Sequence, residues 1–218
     1  MPRPSPEQLR RRRAIAVLVG LGVVAIIVIG GAVALGGGGD SESSSGPTTT
    51  RPPATTVPPT TLVPLRVTAI GDSVMLGAAD ALAGTIGRDR TTVDAAESRQ
   101  FSDGVDKIQQ YKDSGELGDE VVVQLGTNGT INPDDFQRMM QILKNTKRVV
   151  IINAKVPRPW EEEVNQVLGD GVKQYKNSVL VDWHDAAGDH PEWFYDDGLH
   201  LRPDGADAYA RLVAAKVL

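Results

Sequence analysis

The sequence predicts an α/β fold for residues 65–218, with a mainly parallel five-stranded sheet and helices on both sides. Two observations lead to this fold class. Short β-branched runs alternate with segments of helical periodicity, which is typical of parallel sheets joined by crossover helices. Three of the runs are also continuously apolar rather than alternating, as expected for strands that are buried on both faces.

The candidate elements follow one another along the chain. The predicted strands are Arg66–Ile70, Thr91–Asp94, Glu120–Leu125, Arg148–Asn153 and Ser178–Asp182. The clearest helix covers 132–147, where Asn132 is a candidate N-cap, Pro133 suits the first helical position and apolar residues share one face. Further helices are predicted over 160–176 and 203–217. Ligands of such folds bind at the carboxyl ends of the strands, so the polar residues found there are the candidates for function.

The N-terminal part has a different composition. Residues 1–13 are a basic head with five arginines and one glutamate, and the 22 residues 14–35 carry no charge. A helix of that length spans roughly 33 Å, enough to cross the apolar core of a membrane. We therefore expect a single signal-anchor helix that leaves the head in the cytoplasm and the remainder outside. Cleavage near Ala34 is the alternative and would give a secreted protein. Residues 36–64 are rich in Gly, Ser, Thr and Pro, which predicts a disordered linker.

Charge and cysteine content narrow the class of function. The net charge of −5 includes the basic head, so the folded part is more acidic than the whole chain. Such a domain is a poor match to nucleic acid or anionic lipid, and no nucleic-acid partner is expected. The chain has no cysteine, so an exported domain must be stable without disulfides. The histidines and carboxylates between residues 184 and 190 lack tight ligand spacing, so no metal or cofactor is expected.

Three groups of polar residues could carry chemistry. Ser73 follows the first strand and opens a helical segment, where it is either a cap or a nucleophile. Asn128 follows the third strand; Asn-Gly suggests a hairpin turn, but a helix start comes next, so its amide could donate to a ligand oxygen. Asp197 lies three residues before His200, close enough to accept from Nδ1 and leave Nε2 free as a base. Together these groups supply a nucleophile, an oxyanion donor and an oriented base.

Three motifs together resemble those of the SGNH (GDSL-like) hydrolase family: GDSVMLG, GTNG and DGLHL. The likeness extends over residues 65–218 and implies a flavodoxin-like three-layer sandwich. It also implies a catalytic triad in which Ser73 is the nucleophile and Asp197 and His200 complete the set. The α/β-hydrolase fold fits less well, because it requires G-x-S-x-G.

The resemblance further implies an oxyanion hole made by the Ser73 backbone N–H and the Asn128 side chain. The family usually has a glycine after the second strand as another donor, but residues 95–100 contain none, and we place this donor at Ser98. The Ser-Arg-Gln segment and the VPRPW motif that follows later are similar to the extracellular catalytic domains of peptidoglycan O-acetyltransferases. That similarity implies substrate binding by Arg99 and Gln100.

The expected function is that of a membrane-anchored, extracytoplasmic esterase or O-acetyltransferase that acts on O-acyl esters of cell-wall carbohydrate. The two activities share every residue named, so both stay open. Catalytic domains of this kind normally follow a many-pass membrane domain, so a single-span chain would need a separate membrane protein as acyl donor. A tethered cell-wall-binding module with a degenerate, non-catalytic site is the alternative from another class.

Overall fold

The computed structural model of the 218-residue chain describes residues 64–217. The predicted head, anchor helix and linker lie outside the described residues. Among residues 64–217, no helix is both long enough and apolar enough to cross a membrane.

Five parallel strands form one sheet in the order β2-β1-β3-β4-β5. The strands are β1 (Val67–Gly71), β2 (Thr91–Ala95), β3 (Glu120–Gln124), β4 (Arg148–Ile152) and β5 (Ser178–Val181). The predicted parallel sheet is confirmed, with bounds that differ by one residue at the strand ends. Asn153 and Asp182 lie just beyond the last strand pair, where Asn153 Nδ2 donates to Asp182 Oδ1 at 2.8 Å and Asp182 caps the following helix.

Helices connect the strands. They are α1 (Ser73–Ile86), α2 (Phe101–Asp113), α3 (Pro133–Ile142), α4 (Glu161–Val172), α5 (Trp183–Ala186) and α6 (Pro203–Ala214), with a 3₁₀ turn at Pro191–Trp193. The start of α3 is as predicted, since Asn132 Oδ1 accepts from the Asp134 N–H at 3.0 Å. The helix ends earlier than predicted because the Thr146 N–H turns back to the Leu143 carbonyl and leads the chain into β4.

Two apolar cores lie on opposite faces of the sheet. One core joins the sheet to α1 and α6, and the other joins it to α2, α3 and α4. Along β3, Val122 belongs to the first core, whereas Val121 and Val123 belong to the second. Each buried valine of this kind contributes about 1.5–3 kcal/mol. The resulting arrangement is the three-layer sandwich that the family resemblance implied.

The strand order creates a crevice between β1 and β3. From β1 the chain crosses to one side of the sheet, and from β3 it crosses to the other, so their carboxyl ends diverge at a switch point. Ser73 follows β1 and Asn128 follows β3, so both flank this crevice. Gly126 turns the chain after β3 with φ +114°, and an added Cβ would lie 2.7 Å from Val164 Cγ1.

Candidate active site

Ser73 is the first residue of α1, separated from β1 only by Asp72. Asp72 caps the helix, because its Oδ1 accepts from the Val74 N–H at 3.0 Å. Ser73 therefore lies in the first turn of the helix, at the positive end of the helix dipole. The capping role considered for Ser73 is filled by Asp72, which leaves the Ser73 hydroxyl available.

Asp197 and His200 lie in one short loop that is stabilised by hydrogen bonds between its own residues. The Tyr195 N–H donates to the His200 carbonyl at 2.9 Å, and Gly198 turns the chain with φ +64°. Asp197 Oδ1 accepts from the backbone N–H groups of Leu199 and His200 at 2.9 and 3.0 Å. Its Oδ2 lies 2.7 Å from His200 Nδ1. The hydrogen bond from His200 is the main cause that lowers the pKa of Asp197 from 3.8 to about 2.

The other ring nitrogen of His200 reaches the serine. His200 Nε2 lies 3.1 Å from Ser73 Oγ, although 127 residues separate the two in the chain. This distance is within the hydrogen-bond reach that a general base requires. The structure therefore brings Ser73, His200 and Asp197 into one continuous hydrogen-bonded chain.

Ser73 and His200 open onto a cleft of about 450 Å³. It is lined by Ser73, Leu76, Gly77, Glu97, Ser98, Asn128, Leu199 and His200. Leu76, one helical turn beyond the serine, is 43% exposed and provides an apolar wall. A cleft of this size is large enough for a small ligand or one end of a longer one.

Asn128 lines the cleft from the loop after β3. Its Nδ2 lies 3.3 Å from both the Arg99 carbonyl and Thr127 Oγ1. Both distances are slightly longer than the usual range for N–H···O hydrogen bonds, so the two contacts hold the amide only weakly. The chain continues from here into α3, so the Asn-Gly pair does not form a β-hairpin.

Ser98 also lines the cleft and has an unusual backbone. Among residues 64–217 it is the one non-glycine residue with positive φ, at +59°. This left-handed region favours glycine, which has no Cβ to clash with the carbonyl. Ser98 therefore holds the backbone conformation of a glycine at the place where the resemblance implied one. Its role as an oxyanion donor stays a prediction.

Comparison with curated proteins yields relatives over most of the described domain, while no family model matches the chain. YrhL of Bacillus subtilis (strain 168) is 35% identical over 147 residues, which are 67% of this chain and 23% of YrhL. The O-acetyltransferase OatA of Staphylococcus aureus (strain NCTC 8325 / PS 47) is 32% identical over 145 residues, 66% of this chain and 24% of OatA. The peptidoglycan O-acetyltransferase OatA of Listeria monocytogenes is 30% identical over 151 residues. The chain spans about a quarter of the length of these relatives.

Solved structures share the architecture. The C-terminal catalytic domain of peptidoglycan O-acetyltransferase A from Streptococcus pneumoniae matches with a TM-score of 0.59 at 21% identity, over 70% of this chain and 92% of that domain. A GDSL-like lipase from Bacteroides thetaiotaomicron matches with a TM-score of 0.52 at 17% identity, over 70% and 89%. This is the SGNH hydrolase fold. The homologues of the chain are peptidoglycan O-acetyltransferases, in agreement with the motifs.

Arg99 is turned away from the cleft of this SGNH domain. Its guanidinium donates to the Gly71 carbonyl at 3.1 Å and to the Asp94 carbonyl at 2.6 Å, and it pairs with the Asp94 carboxylate at 2.6 Å. The side chain is only 9% exposed. In the structure Arg99 joins the ends of β1 and β2, and the expected substrate contact stays a prediction.

Gln100 connects two loops of the SGNH site. Its Nε2 donates to the Asn128 carbonyl at 3.1 Å, while its backbone N–H donates to the Asp103 carboxylate at 3.3 Å. The side chain is exposed, but the contact it makes is with the protein. Gln100 fixes the position of Asn128, and a direct substrate contact stays a prediction.

The buried polar residues beneath Ser73 were not predicted from the sequence. Asp72 is fully buried, and its Oδ2 accepts from Thr127 Oγ1 at 2.7 Å and from the Thr127 N–H at 3.4 Å. Burial raises the pKa of Asp72. Gln124 Oε1 accepts from the Met75 N–H at 3.2 Å. Gln124, a polar residue directly after the apolar run Val121–Val123 of β3, was the signal available for this network.

The other two histidines lie outside the SGNH site. His184 Nε2 contacts Glu161 Oε1 at 3.0 Å, and His190 Nδ1 contacts Glu192 Oε1 at 2.7 Å. Glu161 also accepts from the Val156 N–H. His184 therefore pairs with a glutamate from α4 rather than with a neighbouring aspartate, and it does not form a rival Asp–His pair.

Proposed function

We propose that this protein is a serine acyl-transfer enzyme, an esterase or O-acetyltransferase, that acts on O-acyl esters of cell-wall carbohydrate. The observation that carries the proposal is the hydrogen-bonded chain from Ser73 Oγ through His200 to Asp197. The names of the homologues support the substrate class, since YrhL and the OatA of Listeria monocytogenes are both named as peptidoglycan O-acetyltransferases.

The residues of the chain account for the first half of the reaction. His200 Nε2 takes the proton of Ser73 as Oγ attacks the ester carbonyl, and the imidazolium that forms is stabilised by the ionised Asp197. The tetrahedral intermediate then expels the alcohol, which receives the proton from His200. An acyl-serine remains. The low pKa of Asp197, about 2, keeps its carboxylate charged throughout the working pH range.

The oxyanion of the intermediate needs donors at the cleft. The Ser73 N–H lies in the first turn of α1, where the helix has no internal acceptor for it. Asn128 can offer Nδ2 by exchanging one of its two 3.3 Å contacts for a shorter, charge-assisted bond. The backbone N–H of Ser98 is the third candidate donor.

The second half of the reaction decides between the two activities. Activation of water by His200 gives hydrolysis, whereas activation of a sugar hydroxyl gives O-acyl transfer. In both cases His200 Nε2 takes the proton of the acceptor and gives it to Ser73 Oγ as the acyl–Oγ bond breaks, which regenerates Ser73. Exclusion of water and binding of the acceptor favour transfer, and both depend on the loops around the cleft.

The predicted organisation of the chain completes the proposal. Residues 1–13 would form the cytoplasmic head, 14–35 the membrane anchor, 36–64 the linker and 65–218 the catalytic domain. The anchor would hold the catalytic domain on the outer face of the cell membrane, near wall glycan. We further propose that a separate membrane protein supplies the acyl group.

The test is to incubate the full chain, in mild detergent, with a small acetyl ester, with and without wall glycan fragments. Mass spectrometry of the products distinguishes acetate released to water from acetyl carried to a sugar. We expect turnover of the ester in either case and none with Ser73→Ala. Unchanged turnover by Ser73→Ala would exclude the proposed mechanism.

A fluorophosphonate probe separates the enzyme from a non-catalytic wall-binding module. The enzyme should be labelled at Ser73, whereas Ser73→Ala should not react. Ser102→Ala is a matched control, because Ser102 is exposed on α2 and outside the cleft. Folded protein that fails to react at Ser73 would favour the binding module.

A further inference from the structure

A second cleft of about 650 Å³ lies behind the loop that carries Asp197. Its charged lining residues are Lys155, Glu192, Asp196 and Arg202, and Tyr195 provides an aromatic ring. Tyr195, Asp196 and Gly198 belong to the loop whose next residues, Leu199 and His200, line the active-site cleft. The two clefts are therefore neighbours, with this loop between them.

Lys155 supplies a cation to the second cleft. It is half-buried in the loop after β4, and none of the carboxylates in residues 64–217 lies within 4.0 Å of its ammonium group. The two carboxylates that line the cleft are bound elsewhere, Glu192 to His190 at 2.7 Å and Asp196 to Arg202 at 3.3 Å. A partly desolvated charge without a partner is unfavourable, so an anion in the cleft would be stabilised there.

Tyr195 supplies a flat surface to the same cleft. Its side chain is 50% exposed, which is unusual for a large apolar group in this domain. The Arg202 guanidinium lies 5.0 Å from the ring centroid, and Arg202 Nε donates to the Phe194 carbonyl at 2.6 Å. The cation–π contact holds the ring in place at little cost in side-chain entropy. An exposed ring fixed in this way suits packing against the apolar face of a sugar.

We propose that the second cleft binds a carboxylate-bearing part of the glycan, with Lys155 as the cation and Tyr195 as the packing surface. The adjacent sugar would then place its ester or hydroxyl at Ser73. This inference rests on the proposed function and specifies the substrate class as an anionic glycan. The carboxylate could belong to a muramyl sugar or to an attached peptide, which present the same chemistry to Lys155.

The first test measures binding without turnover, using the full-length Ser73→Ala variant and calorimetry. Three probes are compared: a neutral N-acetylglucosamine oligomer, the same length of oligomer with free muramyl carboxylates, and a muramyl-peptide oligomer. We expect at least one carboxylate-bearing probe to bind about tenfold more tightly than the neutral one, as for a charge-assisted contact. The two charged probes reveal which source the cleft prefers. The preference should decrease as salt is added.

The second test assigns the preference to Lys155. Lys155→Glu and Lys155→Met, each combined with Ser73→Ala, should reduce the tenfold preference to about twofold or less. Lys144→Glu changes the net charge equally, but Lys144 is exposed and precedes the amino end of β4, whereas Lys155 follows its carboxyl end. This control variant should retain the preference. If Lys155→Glu does not fold, as judged by thermal unfolding, Lys155→Met provides the same comparison.

Failure of the inference can be distinguished from failure of the proposed function. Equal affinity for all three probes, binding of none of them, or a preference that persists in both Lys155 variants would overturn the inference. Hydrolysis of a small neutral acetyl ester by the wild-type chain tests the catalytic function separately. A protein that hydrolyses the ester but shows no charge preference keeps the function and loses the anionic-glycan site.

Discussion

A hydrogen bond of 2.7 Å joins the hydroxyl of Thr127 to the buried carboxylate of Asp72, although 55 residues separate them in the chain. Asp72 directly precedes Ser73, and Thr127 directly precedes Asn128. The bond therefore connects the candidate nucleophile to the candidate oxyanion donor across the crevice between β1 and β3. This buried bond is the shortest of the contacts that fix the relative position of these two groups.

Thr127→Val removes the hydroxyl while keeping the shape of the side chain. We expect the free energy of unfolding to fall by about 1–3 kcal/mol, because the Asp72 carboxylate stays buried and loses its shortest hydrogen bond. Ester turnover should fall as well, since the Asn128 loop is no longer held to Ser73. Urea unfolding and steady-state kinetics measure the two effects. The exposed Thr130 provides the control, and an equal loss in Thr130→Val would contradict this explanation.

Asn128→Ala removes a donor that is expected to act mainly on the developing oxyanion. We expect kcat to fall on the order of 10²–10³, with a much smaller change in KM. Steady-state kinetics on a small acetyl ester measures the split. Asn145→Ala, at an exposed position, should retain both constants. A rise in KM with unchanged kcat would instead assign Asn128 to ground-state binding.

Asp197 should contribute to stability in a pH-dependent way. Its pKa is lowered to about 2 in the folded protein, against about 3.9 for an unperturbed aspartate. The charged form is thus favoured by folding, so the stabilisation is complete above about pH 4 and is lost as the pH falls towards 2.

Asp197→Asn tests this dependence. The difference in the free energy of unfolding between wild type and Asp197→Asn should shrink as the pH is lowered from about 5 to 2. Asp196→Asn, at the fully exposed neighbouring residue, is the control. A difference that stays constant over this range would refute the assigned cause. At neutral pH the same variant should lose about 10⁴-fold in kcat, as expected when the orienting carboxylate of a triad is removed.

Arg99→Lys distinguishes a positioning residue from a substrate contact. One ammonium group cannot replace the fork that holds the Gly71 carbonyl, the Asp94 carbonyl and the Asp94 carboxylate. We expect the protein to lose about 1–3 kcal/mol of stability and part of its kcat, with little change in KM. Arg88→Lys alters an exposed ion pair and should leave the stability nearly unchanged. A large rise in KM without loss of stability would restore the substrate-binding role.

Ser98→Gly tests which part of Ser98 matters. The left-handed backbone costs a non-glycine residue about 1–2 kcal/mol, while glycine adds about 0.5–1 kcal/mol of unfolded-state entropy, so stability should change by less than about 1 kcal/mol. Turnover should persist if the backbone N–H is the donor. Ser98→Val should lower stability by about 1–2 kcal/mol, unlike Ala96→Val, which lies outside the left-handed region. Loss of turnover in Ser98→Gly would implicate the hydroxyl instead.

Several features could be predicted from the sequence because they depend on local patterns. The β-branched runs and their spacing indicate five parallel strands, and the carboxyl ends of such strands share one edge. Ser73 and Asn128 each lie in the loop or turn that follows one of these strands. The spacing of Asp197 and His200 permits contact between their side chains. Each of these positions is determined within a few residues of chain.

Side-chain direction could not be predicted in the same way. Arg99 and Gln100 lie in the expected loop, but packing against β1, β2 and the Asn128 loop decides that both side chains contact the protein. The Asp72–Thr127 bond likewise exists only because β1 and β3 are neighbours in the sheet.

The strands, the cap of α3 and the identity of the residues at the sheet edge could be predicted, since they follow from periodicity and local hydrogen bonding. Which of those residues meet depends on how distant segments pack. The 3.1 Å approach of His200 to Ser73 requires α1 and the loop before α6 to pack on the same face of the sheet. Lys155 is left without a carboxylate for the same kind of reason, because the loops around it direct their acidic groups towards His190 and Arg202.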